Sequence, residues 1–335
     1  MQKYKITVAM PVYNVEQYVE RALLSALNQT FESIEFIVVD DKGSDRSMDV
    51  VREVMATHPR GGDVRIIDHG VNQGTGATKN SAIAAASGEY IYFMDSDDEI
   101  TPDCIELFYG KMMERPVDIV VGGYRYLDMD NNTLFERKYA DCVIEGEGEM
   151  AMNQYRNNYG MAKLHTQMWN KLYRLSFIRD NDIKCVPNQL NEDNIFTTKV
   201  IFANPSCRFV ADVTYLYFER VGSTVYKVRN GITERFANQL VDVAAYHKDN
   251  LDRHRGAEIW PFYRKRVEFY LTYAIVSIEM GGFDKERKMR YREAIMSGWQ
   301  MSSVKERVAF YALLTIRFCY EVLMPKRIKQ SLERS

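Results

Sequence analysis

Several features that define whole classes of protein are missing from this chain. Its five cysteines are scattered and have no CxxC spacing, which argues against a disulfide framework and against a zinc site. A formal net charge of −2 at pH 7 gives no electrostatic basis for binding nucleic acid. No uncharged apolar run is long enough for a transmembrane helix, and the N-terminus enters a predicted strand without a signal peptide. These absences predict a protein of the reducing cytoplasm.

The composition is that of a globular protein with a substantial core. Of the 335 residues, 46% are hydrophobic and 12% are aromatic. A chain of this length can form one large domain or two. The first half alternates short apolar runs with amphipathic segments, which predicts βαβ units and a mostly parallel sheet flanked by helices. We predict strands over 6–12, 34–39, 64–67, 90–94 and 118–121, and helices over 15–28, 47–56, 76–86 and 102–114.

The second half is organised differently. The pattern is looser from about 125 to 225, and from Ile232 onward it is mostly helical. The composition changes most clearly near 225–232, so we predict a first domain over 1–228 and a helical region over 229–335.

The most informative segment is Asp95-Ser96-Asp97-Asp98, which directly follows an apolar run. Carboxylates beside a core cost on the order of several kcal/mol unless a positive charge neutralises them, and the segment contains no Lys or Arg. In an extended chain Asp95 and Asp97 would project to the same side, which suits a hard cation such as Mg²⁺ or Mn²⁺. The alternative is a polar loop in which Asp98 or Thr101 caps the next helix.

Polar groups follow four of the predicted strands. They are Tyr13-Asn14, Asp40-Asp41, Asn72 and Asp95 to Asp97. Because ligands of parallel α/β sheets bind at the carboxyl ends of the strands, the four groups together predict one binding rim.

Two common nucleotide-binding motifs do not fit. The P-loop pattern GxxxxGK[ST] is absent from the sequence. The run from Gly74 to Lys79 begins like GxGxxG, but Lys79 stands in place of the third glycine and the run follows the third strand. A dinucleotide site of the usual kind is therefore disfavoured.

Six short motifs nevertheless occur in order over residues 5–125. They are Pro11-Val12-Tyr13-Asn14, Val38-Val39-Asp40-Asp41-Lys42-Gly43-Ser44-Asp45, Asn72-Gln73-Gly74, Lys79-Asn80-Ser81, Gly88-Glu89-Tyr90 and Asp95-Ser96-Asp97-Asp98. In this order they resemble the family 2 glycosyltransferases, inverting enzymes of GT-A fold that include many bacterial surface-glycan enzymes. Farther on, Trp169-Asn170-Lys171-Leu172-Tyr173 and Glu192-Asp193-Asn194-Ile195-Phe196 resemble the W-N-K-L-Y and E-D-x-x-F elements of bacterial members. Lys42, inserted before Gly43, and Lys79 and Ser81, in place of arginine and glycine, depart from the usual pattern.

The resemblance implies a fold and a donor. The fold would be α/β, a Rossmann-like GT-A domain with a C-terminal helical extension. Residues 1–125 would form the nucleotide-sugar-binding half and 126–228 the acceptor-side half. The donor would be a nucleotide-diphospho-sugar, with UDP the expected nucleotide, and its expected contacts are Pro11, Tyr13, Asn14, Asp41, Asn72, Gly74, Lys79, Asp95 and Ser96.

Within that set the resemblance gives individual roles. Pro11 would lie under a uracil-like base, and Asp41 would accept a hydrogen bond from the ring N–H of the base. Asp97 would bind Mn²⁺ or Mg²⁺, with Asp95 touching the ribose or a metal-bound water. For Asp40 and Asp41 the alternative is a turn that caps a helix.

An inverting transfer is a single displacement that needs one general base for the acceptor hydroxyl. We expect Asp193 to be this base, with Glu192 orienting it or binding the acceptor. The alternative is that both acids only interact with the positive end of the helix that begins there.

Three further residues are candidates for acceptor or phosphate contacts. Trp169 is expected to stack on a sugar or, equally, to be a buried structural residue. Lys171 and Arg220 are expected to contact phosphate, whereas a solvated surface position is the alternative for Arg220.

The segment 304–329 predicts an amphipathic helix with a wide apolar face and a basic end. Such a helix can lie on the anionic inner face of a membrane, which would suit a lipid-linked acceptor. The alternative is packing on the catalytic domain or in a homodimer.

Two other functional classes remain for comparison. A sugar-1-phosphate nucleotidyltransferase normally opens with a glycine-rich phosphate loop, and the run from Ala9 to Val12 is not one. A non-catalytic nucleotide-sugar-binding protein would have no use for a base such as Asp193. The sequence therefore favours transfer of a sugar to a glycan or lipid-linked acceptor.

Overall fold

The computed structural model describes residues 4–145, 166–187, 191–220, 232–257 and 260–299. The described residues form two compact units, one ending at Phe218 and the other beginning at Glu219. The predicted boundary between 228 and 229 lies outside the described residues, so it stays a prediction.

The described part of the first unit contains ten strands and six α-helices. The strands are β1 (Ile6–Val12), β2 (Ile34–Asp40), β3 (Val64–Asp68), β4 (Tyr90–Phe93), β5 (Glu99–Ile100), β6 (Ile119–Leu127), β7 (Thr133–Arg137), β8 (Cys142–Ile144), β9 (Lys171–Arg174) and β10 (Cys207–Phe218). The helices are α1 (Val19–Leu27), α2 (Ser47–Thr57), α3 (Thr75–Ala85), α4 (Cys104–Glu114), α5 (Leu175–Asp180) and α6 (Glu192–Phe202).

All ten strands belong to one mixed sheet. Its order is β3-β2-β1-β4-β9-β6-β10-β5, with β7 paired to β6 and β8 paired to β10. Strands β3, β2, β1 and β4 pair in parallel, whereas β9 runs antiparallel to both β4 and β6. The predicted parallel α/β sheet is thus confirmed for the first four strands. Strand β9 is antiparallel, and it lies in the part of the chain, from about 125 to 225, where the periodicity of the sequence is weaker.

The first half folds as its periodicity predicts, with small differences at the ends of elements. All seven residues of β2 are buried, as expected for a strand covered on both faces. The buried residues of α1 recur at helical spacing and give it one apolar stripe: Val19, Ala22, Leu23, Ala26 and Leu27. This helix begins at Val19 rather than at 15, because a turn over Val15–Tyr18 precedes it.

Because β3, β2, β1 and β4 are parallel neighbours, their carboxyl ends lie along one rim of the sheet. The residues that follow these ends are His69, Asp41, Tyr13 and Met94. The polar groups predicted from the sequence therefore do share one edge.

Asn170, which directly precedes β9, bonds to three other strands of this sheet. Its Nδ2 donates to the carbonyls of Gly122 (2.9 Å) and Gly123 (2.7 Å) in β6. Its Oδ1 accepts from the hydroxyls of Tyr92 in β4 (3.1 Å) and Thr214 in β10 (2.8 Å). Asn170 is fully buried and uses both donors and both acceptor positions of its amide. This gives the W-N-K-L-Y motif a structural role.

The second unit is helical over its described residues, which confirms the predicted C-terminal helical extension there. Its helices are α7 (Glu234–Arg253), α8 (Trp260–Met280) and α9 (Lys285–Met296). Thr233 and Asp284 cap α7 and α9, each accepting a hydrogen bond from a backbone N–H of the first turn. No helix in the described ranges has both the length and the apolar character needed to cross a bilayer. The predicted amphipathic segment 304–329 lies outside the described residues.

Candidate active site

The acidic segment after β4 is a turn and not an extended chain. The N–H of Asp98 donates to the carbonyl of Asp95 (3.3 Å), which closes the turn. Carboxylate oxygens of Asp95, Asp97 and Asp98 lie within 4.8 Å of one another. The expectation of an extended segment was therefore wrong, since the turn is what brings the acids together and it adds Asp98 to the pair.

Asp98 anchors this turn to β10. Its side chain is fully buried, and it accepts hydrogen bonds from the Tyr215 hydroxyl (2.8 Å) and the Phe218 N–H (2.9 Å). The Tyr215 oxygen also accepts from the Asp95 N–H (3.1 Å). Burial raises the pKa of Asp98, and the charges of Asp97 and Asp95 raise it further. Asp98 does not cap α4, whose N-cap residue is Asp103.

Arg21 of α1 holds the other side of the turn. Its guanidinium donates to the backbone carbonyl of Asp97 (2.9 Å) and pairs with Glu99 (Nε to Oε1, 2.8 Å). The same group lies 3.7 Å from the centre of the Phe218 ring, in a cation–π contact. Nothing in the sequence marks Arg21, because only the packing of α1 brings it to this turn.

The donor set of the turn fits a divalent cation. Three carboxylates this close repel one another, and a cation relieves the repulsion. Carboxylate oxygens are the ligands that Mg²⁺ and Mn²⁺ prefer. Both oxygens of Asp98 already accept hydrogen bonds, whereas Asp95 and Asp97 are only half-buried. Asp95 and Asp97 are therefore the better-placed candidates, and their role as ligands stays a prediction.

Asn14 shapes the loop that follows β2. It has a left-handed backbone (φ 52°), and its Oδ1 accepts from the Ser44 N–H (2.7 Å). A Cβ on Gly43 would lie 2.6 Å from that Oδ1, so only glycine fits there. Lys42 turns aside and pairs with Asp40 (3.3 Å) and Asp68 (2.6 Å). The inserted lysine thus forms ion pairs with two acids at the rim.

Asp41 organises the loop after β3. It is 2% exposed, and its carboxylate lies within hydrogen-bond distance of four nitrogens. These are His69 Nδ1 (3.0 Å), Asn72 Nδ2 (3.0 Å), the Gln73 N–H (2.8 Å) and the Gly74 N–H (2.9 Å). His69 in turn reaches the hydroxyl of Ser81 (2.8 Å). Sequence reasoning missed His69; the serine in place of the usual glycine is what provides its second partner.

The remaining predicted donor residues lie along the same rim. Tyr13 directly follows β1 and is 48% exposed, so its ring offers an accessible surface. Pro11 is half-buried in β1, and Ser96 is buried in the acidic turn. The donor contacts of these residues stay predictions.

Lys79 of α3 meets the two acids at the start of α6. Its ammonium lies 2.9 Å from Glu192 Oε1 and 2.8 Å from Asp193 Oδ1. The Lys79 side chain is 4% exposed, those of Glu192 and Asp193 10% and 22%. The N-cap residue of α6 is Asn191, so neither Glu192 nor Asp193 occupies the N-cap position.

Glu192 and Asp193 have shifted pKa values, and Lys79 contributes to both shifts. Burial, followed by the attraction of Lys79 and the repulsion of Asp193, sets the pKa of Glu192 at about 8. Burial alone would raise the pKa of Asp193, but the Lys79 ammonium and a hydrogen bond from Glu192 outweigh it and lower the value. The arrangement therefore has one ionised carboxylate and one that keeps its proton near neutral pH.

Trp169 and Lys171 are buried. Trp169 is 4% exposed and stacks on Tyr215, with ring centres 4.4 Å apart and planes at 7°. Lys171 is 1% exposed, and its ammonium donates to the Gln167 carbonyl. This burial favours the structural alternative for Trp169 and places Lys171 away from solvent. Arg220 is half-buried, and residues 221–231, which follow it in the sequence, lie outside the described residues.

Comparison with known proteins agrees with this geometry. Residues 7–179, more than half of the chain, match the family model described as Glycosyl transferase family 2. The glycosyltransferase GlyA of Streptococcus pneumoniae is 29% identical over 242 residues, which are 71% of this chain and 33% of GlyA. A poly(ribitol-phosphate) beta-glucosyltransferase of Bacillus spizizenii is 27% identical over 86% of this chain and 44% of that enzyme. The chain thus spans less than half the length of either relative.

Two solved structures share the fold. S. aureus TarS in complex with UDP-GlcNAc superposes with a TM-score of 0.55 at 18% identity, over 97% of this chain and 82% of that one. The mannosyltransferase PcManGT of Pyrobaculum calidifontis, in complex with GDP-Man and Mn²⁺, has a TM-score of 0.55 at 16% identity, over 99% and 85%. The chain therefore belongs to glycosyl transferase family 2, a family of sugar-transferring enzymes, and has the GT-A fold.

Proposed function

We propose that this protein transfers a sugar, with inversion, from a nucleotide-diphospho-sugar to a hydroxyl of a glycan or lipid-linked acceptor in bacterial polysaccharide synthesis. UDP is the nucleotide we expect. The observation that carries the proposal is the buried contact of Lys79 with the two acids at the start of α6. Its ammonium contacts Glu192 and Asp193, and Asp95 of the acidic turn lies close enough to raise its pKa. A candidate base thus contacts a buried ammonium whose pKa the acidic turn also raises.

Each group has a chemical task in such a reaction. A divalent cation held by Asp95 and Asp97 would neutralise the departing diphosphate, which then leaves without taking up a proton. Asp193, kept ionised, accepts the proton of the acceptor hydroxyl at a carboxylate oxygen. One base is enough for a single displacement. Tyr13, exposed on the same rim, offers a ring for contact with the donor base.

The acceptor and the location are proposed on other grounds. The similarity to a poly(ribitol-phosphate) beta-glucosyltransferase supports a bacterial surface polymer as acceptor. We further propose that the protein works in the cytoplasm, with peripheral membrane contact or homodimer formation through 304–329. The halves 1–125 and 126–228 would bind donor and acceptor respectively.

Asp193→Asn tests the base. A general base contributes about 10²–10⁴-fold to rate, so we expect turnover to fall by at least about 100-fold, with the UDP dissociation constant unchanged. Donor hydrolysis and transfer are measured with Mn²⁺ and a panel of nucleotide sugars, and UDP binding by calorimetry. Asp49→Asn, an exposed acid of α2, is the matched control and should keep full turnover. Unchanged turnover in Asp193→Asn would reject the assignment.

Removal of the cation tests the acidic turn. We expect a chelator to abolish transfer and Mn²⁺ to restore it, because the turn holds three carboxylates within 4.8 Å and the diphosphate adds more negative charge. Asp97→Asn should raise the Mn²⁺ concentration needed for half-maximal rate by about tenfold or more. Full activity in the presence of chelator would contradict a metal-dependent mechanism.

A further inference from the structure

Lys79 occupies a position that the family resemblance links to the donor phosphate. In this structure two hydrogen bonds of its ammonium go to the acids of α6, Asp193 at 2.8 Å and Glu192 at 2.9 Å. An ammonium has three N–H donors, so most of its hydrogen-bonding capacity serves these carboxylates. The side chain is 4% exposed, which makes the contact a buried one.

We propose that Lys79 is a positioning residue for the general base: its ammonium, in direct contact with the Asp193 carboxylate, holds that carboxylate in place and supplies its counter-charge. This inference rests on the proposed function, in which Asp193 receives the proton of the acceptor. It assigns Lys79 to the base and not to the donor phosphate.

The charge balance supports this assignment. Two adjacent buried carboxylates beside one ammonium are stable with one negative charge, because a second would be uncompensated. Burial raises the pKa of Glu192, whereas Lys79 and Glu192 together lower that of Asp193 against the effect of burial. Despite its own burial, the pKa of Lys79 is raised by Asp193, Glu192 and Asp95, so the ammonium stays charged.

Other titratable groups face the cluster from neighbouring elements. They are Lys171 and Tyr173 of β9, Cys185 before α6, and Asp95 of the acidic turn. Lys171 lowers the pKa of Asp193 further, although its own ammonium donates to the Gln167 carbonyl. Burial raises the pKa of Tyr173 and of Cys185, so both stay protonated. Lys79 is in direct contact with both acids.

The backbone around Lys79 is fixed by other residues. Asn80 forms a reciprocal pair with the Cys185 backbone, donating to its carbonyl (2.9 Å) and accepting from its N–H (2.9 Å). A Cβ on Gly76 would lie 2.5 Å from the Val186 carbonyl oxygen, so α3 packs closely on this segment. Removal of the Lys79 charge should therefore leave α3 in place.

The test compares Lys79→Met with Lys79→Arg, which keeps the charge. In wild type we expect kcat/KM to be independent of pH from about 5 to about 7, since Asp193 is already ionised there and Glu192 keeps its proton up to about pH 8. In Lys79→Met the acid limb should move up to about pH 7, a shift of about three pH units, because the buried carboxylate loses its counter-charge. The loss of kcat should be about tenfold or more at pH 6 and should shrink towards pH 9. Lys79→Arg should keep the wild-type limb.

Each other outcome has a distinct meaning. A rise in donor KM and in the UDP dissociation constant, with an unmoved acid limb, would show that Lys79 binds phosphate and would overturn the inference. A loss of kcat that is the same at every pH would show a structural role and would also overturn it. If Lys79→Met does not fold, Lys79→Gln, which is also uncharged, carries the same comparison. If wild type transfers no sugar, or Asp193→Asn keeps turnover, the proposed function itself fails, and that result is read without any Lys79 variant.

Discussion

Three asparagines around the site have a left-handed backbone at positions where the chain changes direction. Asn14, Asn170 and Asn191 have φ values of 52°, 56° and 70°. Asparagine tolerates this conformation better than most residues because its short amide can hydrogen-bond locally. Asn14 lies two residues after β1 and holds the loop that follows β2, Asn170 directly precedes β9, and Asn191 is the N-cap residue of the helix that carries Asp193. The sequence positions of these residues therefore have a conformational reason as well as a chemical one.

Replacement of Asn170 tests how much one buried amide contributes. We expect Asn170→Ala to lower the free energy of unfolding by about 3 kcal/mol, since two carbonyls and two hydroxyls lose a partner in the core. Asn131→Ala is the matched control, because Asn131 is also left-handed (φ 62°) but exposed, and should cost about 1 kcal/mol. Urea unfolding followed by circular dichroism gives both values. Equal losses would mean that the hydrogen bonds of Asn170 contribute nothing beyond its backbone conformation.

At the scale of elements, arginines from elsewhere in the chain complete two helices. The last carbonyls of a helix have no partner within it. Arg60 donates to carbonyls at and beyond the end of α1, those of Leu27, Gln29, Phe31 and Glu32. Arg179 of α5 does the same for α3, at Ile83, Ala84 and Ala86. The second cap fixes the helix that carries Lys79.

Close packing of helix against strand gives a prediction at this scale. A Cβ on Gly122 of β6 would lie 2.4 Å from the Thr214 hydroxyl and 2.5 Å from the Phe108 ring. We expect Gly122→Ala to destabilise the protein by about 1–3 kcal/mol, because β10 and α4 would have to move. Gly110→Ala, at an exposed position of α4 with nothing within 4 Å, should instead stabilise it by about 0.5–1 kcal/mol. Thermal unfolding of the two variants checks the opposite signs; a stabilised Gly122→Ala would contradict the packing described.

At the scale of the whole molecule, the chain divides into two compact units. The first carries the rim and the candidate catalytic residues, and the second is helical in its described ranges. In the second unit His247 is fully buried and lies 2.8 Å (Nδ1) from the Tyr263 hydroxyl, with the Tyr270 ring 4.9 Å away. Burial, with a smaller effect of Arg266, lowers the pKa of His247 to about 3.

The buried histidine predicts acid sensitivity of the helical unit. The unfolded chain takes up a proton at His247 below about pH 6.5, whereas the folded chain does so only near pH 3. The stabilising contribution is therefore complete above pH 6.5 and is lost as the pH falls, with a slope of up to about 1.4 kcal/mol per pH unit. Urea unfolding from pH 7 to pH 4 should show this slope in wild type and a smaller one in His247→Phe. Parallel curves for the two proteins would contradict the assignment.

Much of the first unit could be predicted from local sequence. The seven-residue run of β1 and the apolar stripe of α1 follow from periodicities of two to four residues, which depend on near neighbours only. One further rule was enough to place Asp41 and Asp95 on one rim. The strands of βαβ units are parallel, so their carboxyl ends lie at the same edge of the sheet. The boundary at 228 and the segment 304–329 lie outside the described residues and stay predictions.

Only the tertiary structure decided which side chains meet at the rim. Arg21 reaches the Asp97 carbonyl, His69 reaches Asp41, and Lys79 reaches Asp193, each across a separation that no local pattern records. By itself the sequence determined the types of group present and the strands they follow, because those depend on residues close together in the chain. It could not determine that Lys79 faces two carboxylates, because that contact exists only once α3 packs on α6 and excludes water from the charges.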